Sequence, residues 1–159
     1  IYSHIGYNLK LTDMQAAVGV AQLSHLEGFI AARRRNFDVL RAALDGLSDV
    51  LEFATVHPKA EPSWFGFPMR VREGAGFDRA ELVRFLESRR IATRALFGGN
   101  LVRQPAYIGK EFRAVGDLPC SDQVMRGTLW IGTWPGLTAP MLDWMVESVR
   151  AFCRDGVRA

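Results

Sequence analysis

The chain has 159 residues, of which 48% are hydrophobic and 23% charged, and these proportions suit one globular domain with a buried core. It contains no apolar run near the roughly 18 residues of a membrane span and no basic segment followed by an apolar one, so we expect neither a membrane span nor a secretion signal. The net charge is +3, and the densest basic run is Arg33 to Arg35. Consecutive helical residues point in different directions, so we expect a charged helix face there and no nucleic-acid partner.

The cysteines and histidines give no sign of a metal site. Cys120 and Cys153 are far apart, no Cys-x-x-Cys pair occurs, and the histidines are scattered at positions 4, 25 and 57. Two lone thiols are typical of reduced packing cysteines, so we expect a cytoplasmic protein in which this chain's own residues bind no metal.

The first predicted helix follows a capping box. Thr12 and Gln15 have the T-x-x-Q spacing, which predicts a helix over about 13–26. Its small residues allow close backbone approach and its apolar residues lie on more than one face, so we expect it to be packed on several sides, in the core, at a domain junction or at a subunit interface. A second helix, at about 27–45, has one apolar stripe that Arg33 interrupts. We expect Arg33 to snorkel or to pair with a carboxylate.

Strands and helices alternate through the rest of the chain. Hydrophobic patterns, caps and prolines predict strands at 50–56, 63–72, 90–97 and 129–134 and helices at 79–89, 119–127 and from 139 onwards. Asp78 and Glu81 form a second capping box, and apolar residues at 142, 145, 146 and 149 have the i, i+3, i+4, i+7 spacing of a buried helix face. Pro68 lacks a backbone N–H, so we place the second strand at a sheet edge or expect a bulge in it. The predicted fold class is α/β of the α+β type, with two N-terminal helices before a layer of strands and helices.

Two polar residues lie directly before the first helix cap. Asn8 and Lys10 place an amide and an ammonium group beside the free N–H groups of a helix start, an arrangement suited to a phosphate. Taken alone, these residues favour an ordinary capped helix with Lys10 in solvent.

The richest chemical stretch is the loop FGGNLVRQPAY. Its glycines permit a close approach of the backbone to a ligand. Asn100 and Gln104 can donate and accept hydrogen bonds toward a base or sugar, and Arg103 has a planar fork that suits a pyrophosphate. Phe97 and Tyr107 can stack on a ring. Taken alone, the stretch favours an exposed Gly-rich loop whose polar groups face water.

The segment GYNLKLTDMQAAVGVAQL resembles the part of the DegT/DnrJ/EryC1/StrS nucleotide-sugar aminotransferases that follows the domain with the pyridoxal-phosphate lysine. In that family a Gly-x-Asn-x-Arg/Lys run precedes an Ala-rich helix, and its Asn and basic residue reach the cofactor phosphate of the other subunit of a dimer. Gly6, Asn8 and Lys10 match this run. The resemblance implies that Asn8 and Lys10 bind the phosphate of pyridoxal or pyridoxamine 5'-phosphate in a homodimer.

Later stretches are most similar to one branch of that family. PSWFGFP, TRALFGGNLVRQPAY and LWIGTWPGLT resemble the CDP-4-dehydro-6-deoxyglucose 3-dehydrases of deoxysugar and lipopolysaccharide synthesis, and FxGNLxRQP is the most specific of these motifs. The resemblance implies that the loop binds a CDP-4-keto-6-deoxysugar. The implied substrate-binding residues are Phe97, Asn100, Arg103, Gln104 and Tyr107.

The resemblance also implies a fold, the small C-terminal domain of the aspartate-aminotransferase (type I) fold. That domain has long linking helices before a small, mainly antiparallel sheet with helices on one face. We expect residues 1–47 to form the linking helices with the phosphate-binding segment, and residues 48–159 to form the small domain. The opening IYSHIGYN, without an initial Met, indicates a C-terminal piece of a longer protein.

The resemblance places the chemistry itself outside this chain. In the 3-dehydrase branch a histidine replaces the catalytic lysine, and an upstream cysteine cluster holds a [2Fe–2S] centre. None of the chain's three lysines has a setting that would lower its pKa, so we expect no catalytic residue here. The implied enzyme removes the C3 hydroxyl of the sugar with pyridoxamine phosphate and receives electrons from a reductase.

Two other functions fit the same sequence. One is a pyridoxal-phosphate-dependent nucleotide-sugar aminotransferase of the same superfamily, with a lysine and no cluster. The other is a non-catalytic module that binds a nucleotide sugar or dimerises. Residues that distinguish the three lie upstream of Ile1, according to the resemblance.

Overall fold

The computed structural model describes residues 11–156. The elements are α1 (Asp13–Leu23), α2 (Leu26–Leu44), β1 (Leu51–Phe53), β2 (Gly66–Val71), α3 (Arg79–Ser88), β3 (Thr93–Ala95), α4 (Pro119–Gly127), β4 (Thr128–Gly132) and α5 (Ala139–Gly156). The predicted fold class, a small antiparallel sheet with helices, is confirmed. The predicted strands exist but are shorter, because a strand ends where its neighbour ends, whereas a hydrophobic pattern continues into the flanking chain.

The sheet has four strands in the order β1-β2-β4-β3, and every neighbouring pair is antiparallel. Phe67 of β2 lies opposite Ile131 of β4, which in turn lies opposite Thr93 of β3. Because side chains alternate along a strand, this register places Phe67, Met69, Leu129 and Ile131 on one face and Trp130 on the other.

The predicted edge position of β2 is wrong. The strand lies between β1 and β4, and its pairing with β4 runs without a bulge from Gly66 to Arg70. Pairing with β1 stops at Met69, so Pro68 lies beyond the end of β1, and among the described strands it pairs only with Trp130 of β4. The missing N–H of Pro68 is tolerated for a local reason, the shortness of β1, although the strand itself is central.

Three helices cover the apolar face of the sheet. The core comprises Phe37, Leu40 and Leu44 of α2, Leu82 and Leu86 of α3, Leu142, Met145, Val146, Val149 and Cys153 of α5, and Leu51, Phe67, Met69, Val71, Leu129 and Ile131 of the sheet. Nine of these, from the sheet and from each of the three helices, are 0% exposed, among them Leu40 and Ile131. The i, i+3, i+4, i+7 pattern of α5 correctly predicted its buried face.

Two arginines attach the segment before β2 to α2. Arg33 donates from Nη1 to the carbonyl oxygens of Trp64, at 3.1 Å, and Phe65, at 3.4 Å. Arg34 donates from Nε to the carbonyl oxygen of Pro62 at 3.1 Å. The predicted carboxylate partner of Arg33 is therefore wrong, because the acceptors that it meets are backbone groups brought there by the fold. Snorkelling of Arg33 stays a prediction. Phe37 completes the attachment by stacking on Trp64, with ring centroids 3.8 Å apart.

Helix α1 is not part of the core. None of its residues is buried in this structure, and its large apolar side chains are 64–82% exposed. These side chains are Met14, Val18, Val20 and Leu23. Of the three predicted environments, the core of this chain is thereby ruled out, and a domain junction or a subunit interface stays a prediction.

The predicted division of the chain at residue 47 also stays a prediction. Helix α2 belongs to the linking segment in that scheme, yet it packs against α5 and β2. Within residues 11–156 no helix combines the length and the hydropathy that crossing a membrane requires.

The packing of α2 generates a stability prediction. Leu40 is 0% exposed, whereas its neighbour Val39 is 40% exposed. Leu40→Ala should lower the free energy of unfolding by about 2–5 kcal/mol, because it removes buried methyl groups and leaves a cavity. Val39→Ala should change it by less than about 0.5 kcal/mol. Chemical unfolding of both variants measures the difference, and equal midpoints would contradict the described packing.

Candidate functional site

The candidate site lies in the long segment between β3 and α4. Two short 3-10 turns, Leu101–Arg103 and Pro105–Tyr107, give it internal structure. Phe97 near its start and Leu118 at its end have φ angles of 49° and 55°, in the left-handed region that bulky residues rarely adopt. Such backbone strain persists only where surrounding contacts hold it, and it is common at ligand-binding sites.

The side chain that organises this segment is Asp122, in the first turn of α4. Its Oδ1 accepts a hydrogen bond from Nδ2 of Asn100 at 2.8 Å and one from Nε of Arg103 at 2.6 Å. Its Oδ2 accepts a third bond, from Nη2 of Arg103, at 2.8 Å. The Asp122 side chain is 13% exposed and that of Arg103 is 50% exposed. The ion pair is therefore bidentate, sheltered on the carboxylate side and open to solvent on the guanidinium side.

The same contacts shift the ionisation of both groups. Hydrogen bonds from Arg103 and then from Asn100 lower the pKa of Asp122. The hydrogen bond to Asp122 and its negative charge raise the pKa of Arg103. Both groups are therefore charged throughout the neutral range.

The two inner polar residues of the loop face the protein. Asn100 is 2% exposed, and Nε2 of Gln104 donates to the carbonyl oxygen of Gly98 at 2.7 Å. Gly99 has a φ of 58°, and a Cβ at that position would lie 2.4 Å from Cβ of Met125 in α4. The glycines were predicted to permit a close approach to a ligand. In the structure Gly99 instead makes a close approach to α4 of the same chain.

The two aromatic residues of the loop face solvent. Phe97 is 80% exposed and Tyr107 is 42% exposed, so both rings are accessible to a ligand. The cleft beside Phe97, lined also by Gly98, Gly99 and Gln104 among others, has a volume of about 160 Å³. Sites for small molecules usually have roughly 300–1,000 Å³. The loop therefore offers one wall for a larger ligand.

The other predicted site residues, Asn8 and Lys10, lie outside the described residues. The cap that follows them is confirmed, since the Thr12 N–H donates to Oε1 of Gln15 at 3.0 Å and the Gln15 N–H donates to Oγ1 of Thr12 at 3.4 Å. These two donors are already satisfied within the cap.

The two cysteines cannot supply an iron–sulfur centre. A [2Fe–2S] cluster requires four protein ligands, and the chain has two cysteines. Cys120 is exposed, whereas Cys153 is buried, and burial raises its pKa to about 11. Within residues 11–156 no group of His, Cys, Asp and Glu side chains is arranged to hold a metal ion. Any such cluster would need ligands from outside this chain.

Asp122 is absent from the site residues predicted from the sequence. One signal for it was available, because an arginine in an exposed loop commonly pairs with a carboxylate. However, Asp117 and Glu111 are nearer to Arg103 in the sequence, and only the docking of the loop on α4 selects Asp122.

An antiparallel sheet with helices packed on its apolar face, preceded by a long helix, is the architecture of the small domain in pyridoxal-phosphate-dependent enzymes of the aminotransferase fold. A solved structure of Escherichia coli GDP-4-keto-6-deoxy-D-mannose-3-dehydratase with bound hydrated PLP has this fold, with a TM-score of 0.80 and 25% identity. The match covers 91% of this chain and 36% of that one. Residues 1–150 match the DegT/DnrJ/EryC1/StrS aminotransferase family, and the chain belongs to that family.

Two curated relatives are nearly half identical to the chain. The dTDP-4-dehydro-2,6-dideoxy-D-glucose 3-dehydratase of Saccharopolyspora spinosa is 49% identical over 151 residues. The lipopolysaccharide biosynthesis protein RfbH of Salmonella typhimurium strain LT2 is 48% identical over 151 residues. Each match covers 95% of this chain but only 32% and 35% of the relatives, so the chain spans about a third of their length.

The contact between Gly99 and α4 generates a prediction. Gly99→Ala and Gly109→Ala both place a side chain on a left-handed backbone, at a cost of about 1–2 kcal/mol. Gly109 has open space around it, whereas Gly99 abuts Met125. Gly99→Ala should therefore cost about 1–3 kcal/mol more, because the loop must move away from α4. Thermal melts and limited proteolysis of the segment compare the two variants, and equal behaviour would contradict the docking of the loop.

The ionisation of Asp122 generates a second prediction. A lowered folded-state pKa means that the Asp122 contacts contribute stability fully above about pH 4 and lose it as pH falls through the folded-state pKa. The groups that act on Asp122 are Arg103, Asn100 and Arg126. Asp122→Asn should lower the melting temperature by a constant amount between pH 5 and 8, and by less at lower pH. A difference that instead widened on acidification would contradict this assignment.

Proposed function

We propose that the chain is the C-terminal domain of a cytoplasmic nucleotide-sugar 3-dehydrase that removes the C3 hydroxyl of a CDP-4-keto-6-deoxysugar in 3,6-dideoxysugar and O-antigen synthesis. The observation that carries the proposal is the 49% identity, over 95% of the chain, to a nucleotide-sugar 3-dehydratase. A lipopolysaccharide biosynthesis protein at 48% identity supports the pathway. The FxGNLxRQP motif supports CDP as the nucleotide.

In this proposal the loop forms one wall of the sugar-nucleotide site. Phe97 and Tyr107 are its exposed rings and stack on the base or sugar. Arg103 is half exposed and binds the anionic part of the nucleotide. Asn100 and Gln104 are turned toward the protein, so their part in substrate binding is to hold the loop in shape.

The proposed cofactor is pyridoxamine or pyridoxal 5'-phosphate. When bound, it supplies the electron sink for the bond changes at the sugar ring. Asn8 and Lys10 would hold its phosphate, an assignment supported by their position directly before the capped start of α1. This chain would then orient the cofactor and exclude water, while the catalytic histidine is contributed from elsewhere in the protein.

Two further parts of the proposal lie outside this chain. The [2Fe–2S] centre would have its ligands upstream, since two cysteines are too few. A reductase would deliver electrons to that centre. The homodimer is supported by α1, whose exposed apolar side chains require a cover that residues 11–156 do not provide.

The second candidate function is a pyridoxal-phosphate-dependent nucleotide-sugar aminotransferase, and the description of the family as aminotransferases favours it. A non-catalytic nucleotide-sugar-binding or dimerisation module is the third candidate. Incubating the full-length protein with a CDP-4-keto-6-deoxysugar distinguishes them. Loss of the C3 hydroxyl in the presence of a reductase supports the dehydrase, amine incorporation from glutamate supports the aminotransferase, and an unchanged sugar supports the module.

The phosphate assignment generates a prediction. Lys10→Ala in the full-length protein should weaken retention of pyridoxal phosphate by about 1.5–3 kcal/mol, because one charge-assisted contact to a dianion is lost. Asn8→Ala should cost about 0.5–1.5 kcal/mol. Lys59→Ala, which removes an exposed loop charge, is the matched control. Equilibrium dialysis measures all three, and wild-type retention by the first two variants would leave Asn8 and Lys10 as a solvated helix start.

A further inference from the structure

The guanidinium of Arg103 has two edges that can each donate a pair of hydrogen bonds, and Asp122 accepts from one of them. The side-on edge, Nε and Nη2, donates to Oδ1 and Oδ2 of Asp122 at 2.6 and 2.8 Å. The end-on edge consists of Nη1 and the second N–H of Nη2, and among residues 11–156 these donate to no group. Because the guanidinium is planar and rigid, fixing one edge also fixes the direction of the other.

The Asp122 carboxylate, which binds the side-on edge of Arg103, is itself fixed in position by its surroundings. Asp122 is 13% exposed and also accepts from Asn100, which is 2% exposed. Asp122 lies in the first turn of α4, where the N-terminal end of the helix favours a negative charge. Gly99 seats the loop against the same helix. The carboxylate therefore has a defined position, whereas Arg103 extends from it toward solvent.

We propose that Asp122 is a positioning residue for substrate binding: it fixes the side-on edge of Arg103, so that the end-on edge receives two oxygens of the pyrophosphate of the nucleotide sugar. This inference rests on the proposed function. It identifies the end-on edge of Arg103 as the group that binds the pyrophosphate in that site. Asp122 touches no substrate. It acts through Arg103, by removing the rotamer freedom that binding would otherwise have to remove.

A purely structural role of the Asp122–Arg103 ion pair predicts different results for the Asp122 variants. If Asp122 only fastens the loop, its loss lowers the melting temperature and affects kcat, KM and cofactor retention together. If it positions Arg103, its loss raises KM for the nucleotide sugar and weakens binding of the free nucleotide, while pyridoxal-phosphate retention is unchanged. The two roles are separated by which of these quantities moves.

The test uses Asp122→Ala, Arg103→Ala and the double variant in the full-length protein. Each single change should raise KM for the CDP-4-keto-6-deoxysugar about tenfold with kcat within about threefold, as for loss of a charge-assisted hydrogen bond. The double variant should be little worse than Arg103→Ala, because Asp122 acts only through Arg103. Asp122→Asn, which keeps the shape and one acceptor, should lie between wild type and Asp122→Ala. The matched control is Asp143→Asn, on the exposed side of α5.

Calorimetric titration with CDP, and in parallel with dTDP, separates this inference from the proposed function. Nucleotide binding that Asp122→Ala weakens about tenfold, in a protein without dehydrase turnover, would support the inference and overturn the proposed function. Nucleotide binding and KM equal to wild type in Asp122→Ala would overturn the inference alone. Additive effects in the double variant, or a fall in melting temperature with unchanged KM, would also overturn it. A wild-type protein that binds neither nucleotide would overturn both.

Discussion

The structure depends on burying one face of a small antiparallel sheet. Its strands are three to six residues long, and so narrow a sheet does not persist without an apolar layer against it. Helices α2, α3 and α5 supply that layer, and the residues at the contact are almost completely buried. The loop that carries the candidate residues 97–107 begins directly after β3, so its starting point follows from the core.

The functional loop is held by polar contacts, in contrast to the core. Its docking on α4 rests on the three hydrogen bonds to Asp122, on the contact of Nε2 of Gln104 with Sδ of Met125 and on the close approach of Gly99. A polar attachment of this kind fixes directions, because hydrogen bonds and bidentate ion pairs have narrow geometries, whereas apolar contacts fix mainly distances. It also leaves Phe97 exposed and the guanidinium of Arg103 half exposed.

Two surfaces of the chain are not covered or completed by other residues of the described range 11–156. One is the apolar side of α1, and the other is the shallow cleft beside Phe97, whose volume of about 160 Å³ is small for a nucleotide sugar. Both are what the proposed function requires, since the chain spans about a third of its relatives' length. In that proposal the remainder of the protein and a second subunit complete the site.

The sequence by itself determined what depends on near neighbours in the chain. The capping boxes at Thr12 and Asp78 and the apolar face of α5 were predicted, because each involves residues three or four positions apart. Only the tertiary structure decided the strand order around Pro68, the backbone acceptors of Arg33 and the pairing of Arg103 with Asp122. These contacts join groups 19 or more positions apart, and the hydrophobic pattern of a strand states which face is buried but not which strand lies beside it.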